Sequence, residues 1–225
     1  MHLEEALSSK MDIKAFIFDM DGLLFDSERI VQRSWEMAGD ELGIPHMGDV
    51  IYHTLGMNRT GRNEYFRKYI REDFPFEEFG KLTRDNFWKI VDKEGLPLKK
   101  GTKELLAYGK AQGYKMAVAT SSSREYAMGN LIRAGIDSYF DSVVCGDMVK
   151  KAKPDPEIYQ KACESLGIQP EYCMAFEDAP GGILSAHQAG MHVIMVPDLV
   201  QPTQEIRELT YRVCDSLADV IGILN

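Results

Sequence analysis

Apolar residues gather in short runs along the chain, at residues 15–18, 116–120, 142–145, 173–176 and 192–196, each rich in β-branched or aromatic side chains. Runs this short suit strands buried on both faces, which read as unbroken apolar stretches because neither side of the pleat meets water. Helical patterns lie between the later runs. Ile158, Ala162 and Leu166 fall four apart and Gly167 follows as a stop signal, while Asp155-Pro156 offers an N-cap and then a first helical residue. Residues 102–112 lie between Gly101 and Gly113, and residues 123–134 end before Gly135. Strand alternating with helix predicts an α/β fold with a parallel sheet covered on both sides.

The stretch 27–95 breaks that rhythm. It is aromatic and charged, its apolar residues stand at helical spacing, and it reads as a separate helical insert. Tyr65, Phe66 and Tyr69 form one expected buried stripe, and Phe87, Ile90 and Val91 another. After Pro197 the pattern predicts a loop through Pro202 and a short closing helix. No internal repeat or low-complexity segment appears.

Composition narrows the classes of function. Across 225 residues the hydrophobic content is 44%, enough for a proper core, and the formal net charge is −9. Nucleic acid and anionic membranes reward a basic surface, so neither is expected as a partner. Cys145, Cys163, Cys173 and Cys214 contain no C-x-x-C pair and read as buried thiols of a reduced, cytoplasmic protein. Glu4 and Glu5 stand where a secretory signal would need a basic start and an apolar run, so no export is expected.

The chemistry concentrates at the ends of the predicted strands. Phe16-Ile17-Phe18-Asp19-Met20-Asp21-Gly22 is an apolar strand running into two carboxylates one residue apart. Open α/β sheets bind ligands at the carboxyl ends of their strands. Two acids this close repel each other unless a cation or a proton is shared, although Asp-x-Asp-Gly also makes acidic turns. The second run ends in Thr120-Ser121-Ser122-Ser123 before a helix, a place suited to holding an anion. Lys150-Lys151-Ala152-Lys153 precedes another helix, and the first two lysines read as a solvated charge run. The fourth run ends in Glu177-Asp178-Ala179-Pro180-Gly181-Gly182, a second acidic pair, and oxygen donors from two strand ends suit Mg²⁺.

In this order the features resemble a known family. Asp-Met-Asp-Gly-Leu-Leu-Phe-Asp-Ser-Glu, beginning at Asp19, is similar to the first motif of haloacid dehalogenase (HAD) phosphatases. Thr120, Lys153 and Glu177-Asp178 fall where the second, third and fourth motifs belong. The resemblance spans nearly the whole chain and extends to the β-phosphoglucomutase-like subgroup. It implies a Rossmann-like core of residues 1–26 and 96–225 with an inserted helical cap of residues 27–95. It implies Asp19 as covalent nucleophile, Asp21 as general acid and base, and Thr120, Ser121 and Lys153 as phosphate ligands. Mg²⁺ would be held by Asp19, the Asp21 carbonyl, Glu177 and Asp178. Gly56-Met57-Asn58-Arg59-Thr60 is similar to a substrate-reading cap loop, which makes Arg59 a candidate contact.

The expected activity is hydrolysis of a small phosphorylated metabolite, a sugar phosphate, by a monomer or weak dimer. Dehalogenases of this family lack the second aspartate of the first motif. Phosphonatases use a cap lysine, and Lys68 and Lys81 read instead as solvated surface. Sugar-phosphate mutases carry a histidine in the first cap helix where this chain has Val31, which favours hydrolysis over the alternative of mutase-type phosphoryl transfer. A silent phospholigand-binding module is the alternative outside enzymes.

Overall fold

The computed structural model describes residues 11–54 and 59–224, with the side chains of Arg59 and Thr60 outside that description. Strand β1 (Ala15–Phe18) is fully buried along its length and lies at the middle of the sheet, hydrogen-bonded in parallel to β2 (Lys115–Thr120) and β4 (Cys173–Glu177). With β3 (Ser142–Cys145), β5 (His192–Met195) and β6 (Arg212–Val213) the order is β3-β2-β1-β4-β5-β6, parallel throughout. The parallel α/β architecture read from the sequence is the one observed. Strand ends differ by a residue here and there. The sixth strand went unread because two residues, one of them Arg212, make no apolar run.

Alternation along each strand divides the side chains between two layers. Phe16, Phe18, Met116, Val118, Met174, Phe176 and Ile194 face α5 (Thr102–Gln112), α6 (Arg124–Arg133) and α10 (Leu217–Leu224). Phe18 stacks on Phe176 with ring centroids 4.8 Å apart, and Phe16 meets Phe176 edge-on at 5.2 Å. The opposite face is built from smaller residues, Ala15, Ile17, Ala117, Ala119 and Ala175, under α7 (Glu157–Leu166), α8 (Pro180–Gln188) and α9 (Gln204–Leu209). Register pairs Phe18 with both Val118 and Phe176. The chain therefore leaves β1, β2 and β4 at one level, and the residues that follow the strands come together.

Helices α1 (Ser27–Glu41), α2 (Met47–Thr54), α3 (Arg59–Tyr69) and α4 (Phe76–Glu94) form a helical layer. Trp35, Met47, Ile51, Phe66, Phe74 and Phe79 build its core, with Trp35 edge-on to Phe66 at 5.6 Å and to Phe79 at 5.7 Å. The expected stripe of Phe87, Ile90 and Val91 is buried and joins Ile30, with Tyr126 of α6 packed against it. The stripe of Tyr65, Phe66 and Tyr69 is corrected: Phe66 is buried, but Tyr69 is 59% exposed. Tyr65 and Tyr69, four apart, share one helix face and pack against each other with tilted rings, centroids 4.7 Å apart, while Phe66 is turned about 100° away, into the core.

Two helix boundaries also move. The cap of α7 is Pro156 and its first residue Glu157, one later than expected, although Asp155 still accepts the Glu157 amide at 3.0 Å. After Pro202 there are two helices and β6 in place of one closing helix. The four cysteines are free and buried, as read. Among the described residues no helix is long and apolar enough to cross a membrane.

Candidate active site

The turn after β1 supplies the first two carboxylates. The Asp19 amide donates to the Phe176 carbonyl at 3.0 Å, continuing the β1–β4 ladder by one residue. The chain then folds back, with the Gly22 amide donating to the Phe25 carbonyl at 2.9 Å. Gly22 has φ +83°, and a Cβ there would fall within the Asp178 carboxylate, so glycine is required twice over.

Behind this turn lies a small region of dense charge. Lys153 enters from the segment ahead of α7, through a cis peptide bond to Pro154. Its Nζ donates to Asp19 Oδ1 at 2.7 Å, to Glu177 Oε1 at 2.6 Å and to the Ala119 carbonyl at 3.0 Å. The Tyr159 hydroxyl of α7 donates to the same Glu177 oxygen at 2.5 Å. Gly182, in the first turn of α8, leaves room for the Glu177 carboxylate, which any Cβ would overlap. Burial alone would pull Lys153 downward, but Asp19 and Glu177 outweigh it and hold the ammonium above its ordinary range. Burial pushes the Asp19 carboxyl up to about 8 despite the pull of Lys153, with Glu177 adding to the rise. Burial, then Asp19 and Glu177, hold Asp178 well above the carboxylate range.

These groups fit a hard cation. One oxygen each from Asp19, Glu177 and Asp178 lies within 4.8 Å of the others. Three carboxyls face one ammonium, Lys153, which pairs with Asp19 and Glu177, so the group lacks the positive charge that would keep all three ionised. An oxygen-only donor set short of positive charge suits Mg²⁺ or a similar ion.

Asp21 occupies a different environment only two residues on. Its Oδ2 accepts from the Ser122 hydroxyl at 2.7 Å and its Oδ1 from the Tyr126 hydroxyl at 3.0 Å. Its side chain is outside the cation-binding group. Thr120 is buried at the end of β2, where its Oγ1 accepts the Ser122 amide at 3.1 Å and ties the serine turn to the strand. Ser121 follows, its carbonyl packed so closely on Gly146 that a Cβ there would overlap it.

A cavity of about 1020 Å³ opens between these strand ends and the helical layer. Asp21 and Ser121 stand on its wall, facing Val31 of α1 and Arg84 and Trp88 of α4. Glu28 of α1 lines it as well. Burial, followed by the charges of Asp21, Asp198 and Asp26, pushes Glu28 up to about 7.

The structure thus brings Asp19, Lys153, Glu177 and Asp178 into one group, with Asp21, Thr120 and Ser121 beside it. For Arg59 only the backbone position, the first residue of α3, is described, and Gly56, Met57 and Asn58 lie outside the described residues. Lys68 and Lys81 are exposed and off the cavity wall, and Lys150 and Lys151 are solvated as read. Glu28, Ser122, Tyr126 and Tyr159 were not singled out from the sequence. Ser122 lies in the serine turn and Glu28 at the end of the motif that begins at Asp19, whereas the two tyrosines lie inside helices with no local signal of chemistry.

The haloacid dehalogenase-like hydrolase family matches residues 16–196. Phosphorylated carbohydrates phosphatase of Thermotoga maritima is 33% identical over 81% of this chain and 84% of its own length. Hexitol phosphatase A of Escherichia coli is 32% identical over 83% and 84%. A solved β-phosphoglucomutase-like structure from Thermotoga maritima superposes with a TM-score of 0.80 at 28% identity, covering 94% of this chain and 98% of that one. The chain belongs to the haloacid dehalogenase-like hydrolases, in their β-phosphoglucomutase-like subgroup, and is a phosphoric monoester hydrolase.

Proposed function

We propose that the protein is a Mg²⁺-dependent phosphatase of a small sugar phosphate, working through an aspartyl phosphate on Asp19. The observation that carries this reading is the contrast in environment between two carboxylates two residues apart. Asp19 is buried against Lys153 among other acids, and Asp21 is held by two hydroxyls at the cavity wall. Asp19 forms a new bond to phosphorus as the bond from phosphorus to the leaving oxygen breaks, and Asp21 gives that oxygen its proton. In the second half Asp21 takes a proton from water, the water oxygen bonds to phosphorus, and Asp19 departs as a carboxylate with release of phosphate. Lys153 and Thr120, with the Ser121 amide, bind the transferring phosphoryl group through the charge and hydrogen bonds that its oxygens need.

Mg²⁺ held by Asp19, the Asp21 carbonyl, Glu177 and Asp178 would supply the positive charge that keeps Asp19 ionised and offsets its repulsion from the phosphoryl oxygens. The names of the Thermotoga and Escherichia relatives support a phosphorylated carbohydrate as substrate. The same reading takes residues 27–95 as a cap over a core of residues 1–26 and 96–225. In its favour, the helical layer has its own aromatic core. The two connections also run side by side, the Asp26 amide donating to the Pro97 carbonyl at 2.9 Å. Arg59 would read the substrate from the cap, its planar fork suited to a second anionic group.

The test is metal dependence. Hydrolysis of 4-nitrophenyl phosphate should vanish in excess chelator and return with Mg²⁺, and Asp178→Ala should need far more Mg²⁺ for half-maximal rate. Full activity in chelator would overturn the proposal.

A further inference from the structure

The Tyr126 side chain does two things at once. Its hydroxyl donates to Asp21 Oδ1 at 3.0 Å, and its ring packs against two aromatics of α4, with centroids 5.8 Å from Phe87 and 5.7 Å from Trp88. The ring therefore belongs to the contact between the helical layer and the sheet layer, while its polar end belongs to the site. The helix that carries it is well anchored. The Ser123 hydroxyl caps α6 by accepting the Tyr126 amide at 3.4 Å, and Ala127 and Leu131 are fully buried under it. At its far end Arg133 pairs with Asp92 of α4 at 2.8 Å and lies over the Trp88 ring. The same helix pair thus meets at Tyr126 and again two turns later.

We propose that Tyr126 is the positioning residue for Asp21, and that the packing of α4 on its ring sets the direction of the acid/base carboxyl. This rests on the reading of Asp21 as general acid and base. A carboxylate held at one oxygen can still pivot about that bond. The Ser122 hydroxyl holds Oδ2 at 2.7 Å, and the phenol on Oδ1 removes the remaining freedom. Each carboxylate oxygen has a second lone pair, so neither hydroxyl blocks proton exchange with a leaving group. Proton transfer is sensitive to such placement because the donor must lie within hydrogen-bond reach of the leaving oxygen. Movement of α4 would carry the ring, and the ring would carry the carboxyl.

Tyr126→Phe tests this cleanly, because it keeps the ring that packs and deletes only the hydroxyl that positions. The readout is kcat/KM along a series of monoesters from 4-nitrophenyl phosphate through phenyl phosphate to glycerol 3-phosphate. Only a poor leaving group needs its proton delivered. Tyr126→Phe should therefore lose about ten-fold on glycerol 3-phosphate and less than about two-fold on 4-nitrophenyl phosphate, the scale of one hydrogen bond to a charged group. Asp21→Asn should show the same selectivity more steeply. If Asp21→Asn falls equally on every ester, the acid/base reading itself is wrong. If Asp21→Asn is selective but Tyr126→Phe is equal on all esters, or without effect, Tyr126 is packing alone and the proposal fails. Trp88→Ala tests the link to α4. It should show the same selective loss in the native background and add nothing to Tyr126→Phe, since both would act through one hydroxyl. Additive losses would overturn the link.

Discussion

The charged region behind β1 and the cavity in front of it are neighbours, yet they are built on opposite principles. Behind the strand, Asp19, Lys153 and Glu177 are buried and ion-paired at 2.6–2.7 Å, and Tyr159 and Gly182 close in on the same carboxylate. In front, the wall is a mixture of aromatic rings, hydroxyls and charges spread over about 1020 Å³. The first region is closely packed and hydrogen-bonded, which suits a reaction step that does not change with substrate. The second is wide and chemically mixed, which suits a leaving group that differs between related enzymes. On the proposed reading the nucleophile belongs to the first region, while Asp21 stands on the wall of the second, where the leaving group would lie.

The largest effect that should separate the two regions comes from Asp19→Asn. It removes the proposed nucleophile with little change in volume, so turnover should fall by at least about 10³-fold on aryl and sugar phosphates alike. Melting temperature in metal-free buffer should stay close to that of the native protein, because asparagine keeps an oxygen that can accept from Lys153 and burial already disfavours the charge on Asp19. A marked drop in stability would mean that the ion pair holds the fold rather than serving the chemistry.

A smaller effect is expected at Glu28, where the two regions meet. Its carboxyl is pushed from an ordinary 4.5 up to about 7 by burial and then by Asp21, Asp198 and Asp26. Between those values the folded form binds more protons than the unfolded chain, so stability falls as pH rises from about 4.5 to 7. Glu28→Gln removes that slope. The variant should match the native protein below pH 4.5 and gain on the order of 3 kcal/mol above pH 7, read from melting curves at a series of pH values. A pH-independent difference would remove Glu28 from the strained acidic set.

The smallest effect belongs to the substrate-reading side. Arg59→Ala should raise KM for a sugar phosphate about ten-fold and leave 4-nitrophenyl phosphate nearly unchanged, because an aryl ester would make few contacts with the proposed cap. Equal changes on both esters, or none, would take Arg59 out of substrate recognition.

The same division explains what could be read from the sequence. Asp19, Asp21, Lys153, Glu177 and Asp178 were legible because each follows an apolar run or precedes a capped helix, and strand ends are where such sheets do chemistry. Tyr126 and Tyr159 were not. They reach Asp21 and Glu177 across 105 and 18 residues, and nothing in their helices marks them. Central strands were legible as unbroken apolar runs, whereas β6, two residues long and half polar, carries no such signal. In the helical layer the spacing of Tyr65, Phe66 and Tyr69 specified a helix but not which of its faces would be buried. That depends on where Trp35 and Phe79 lie.

The covalent step on Asp19 is the centre of the account, and trapping the intermediate tests it most directly. Asp21→Asn enzyme, which should accept phosphoryl from an ester with a good leaving group but release it slowly, can be mixed with 4-nitrophenyl phosphate and Mg²⁺ and quenched in acid. Borohydride then reduces any acyl phosphate to an alcohol that peptide mass spectrometry locates. Reduction is expected at Asp19 and at no other carboxylate. Reduction at a different residue, or none despite release of nitrophenol, would contradict it.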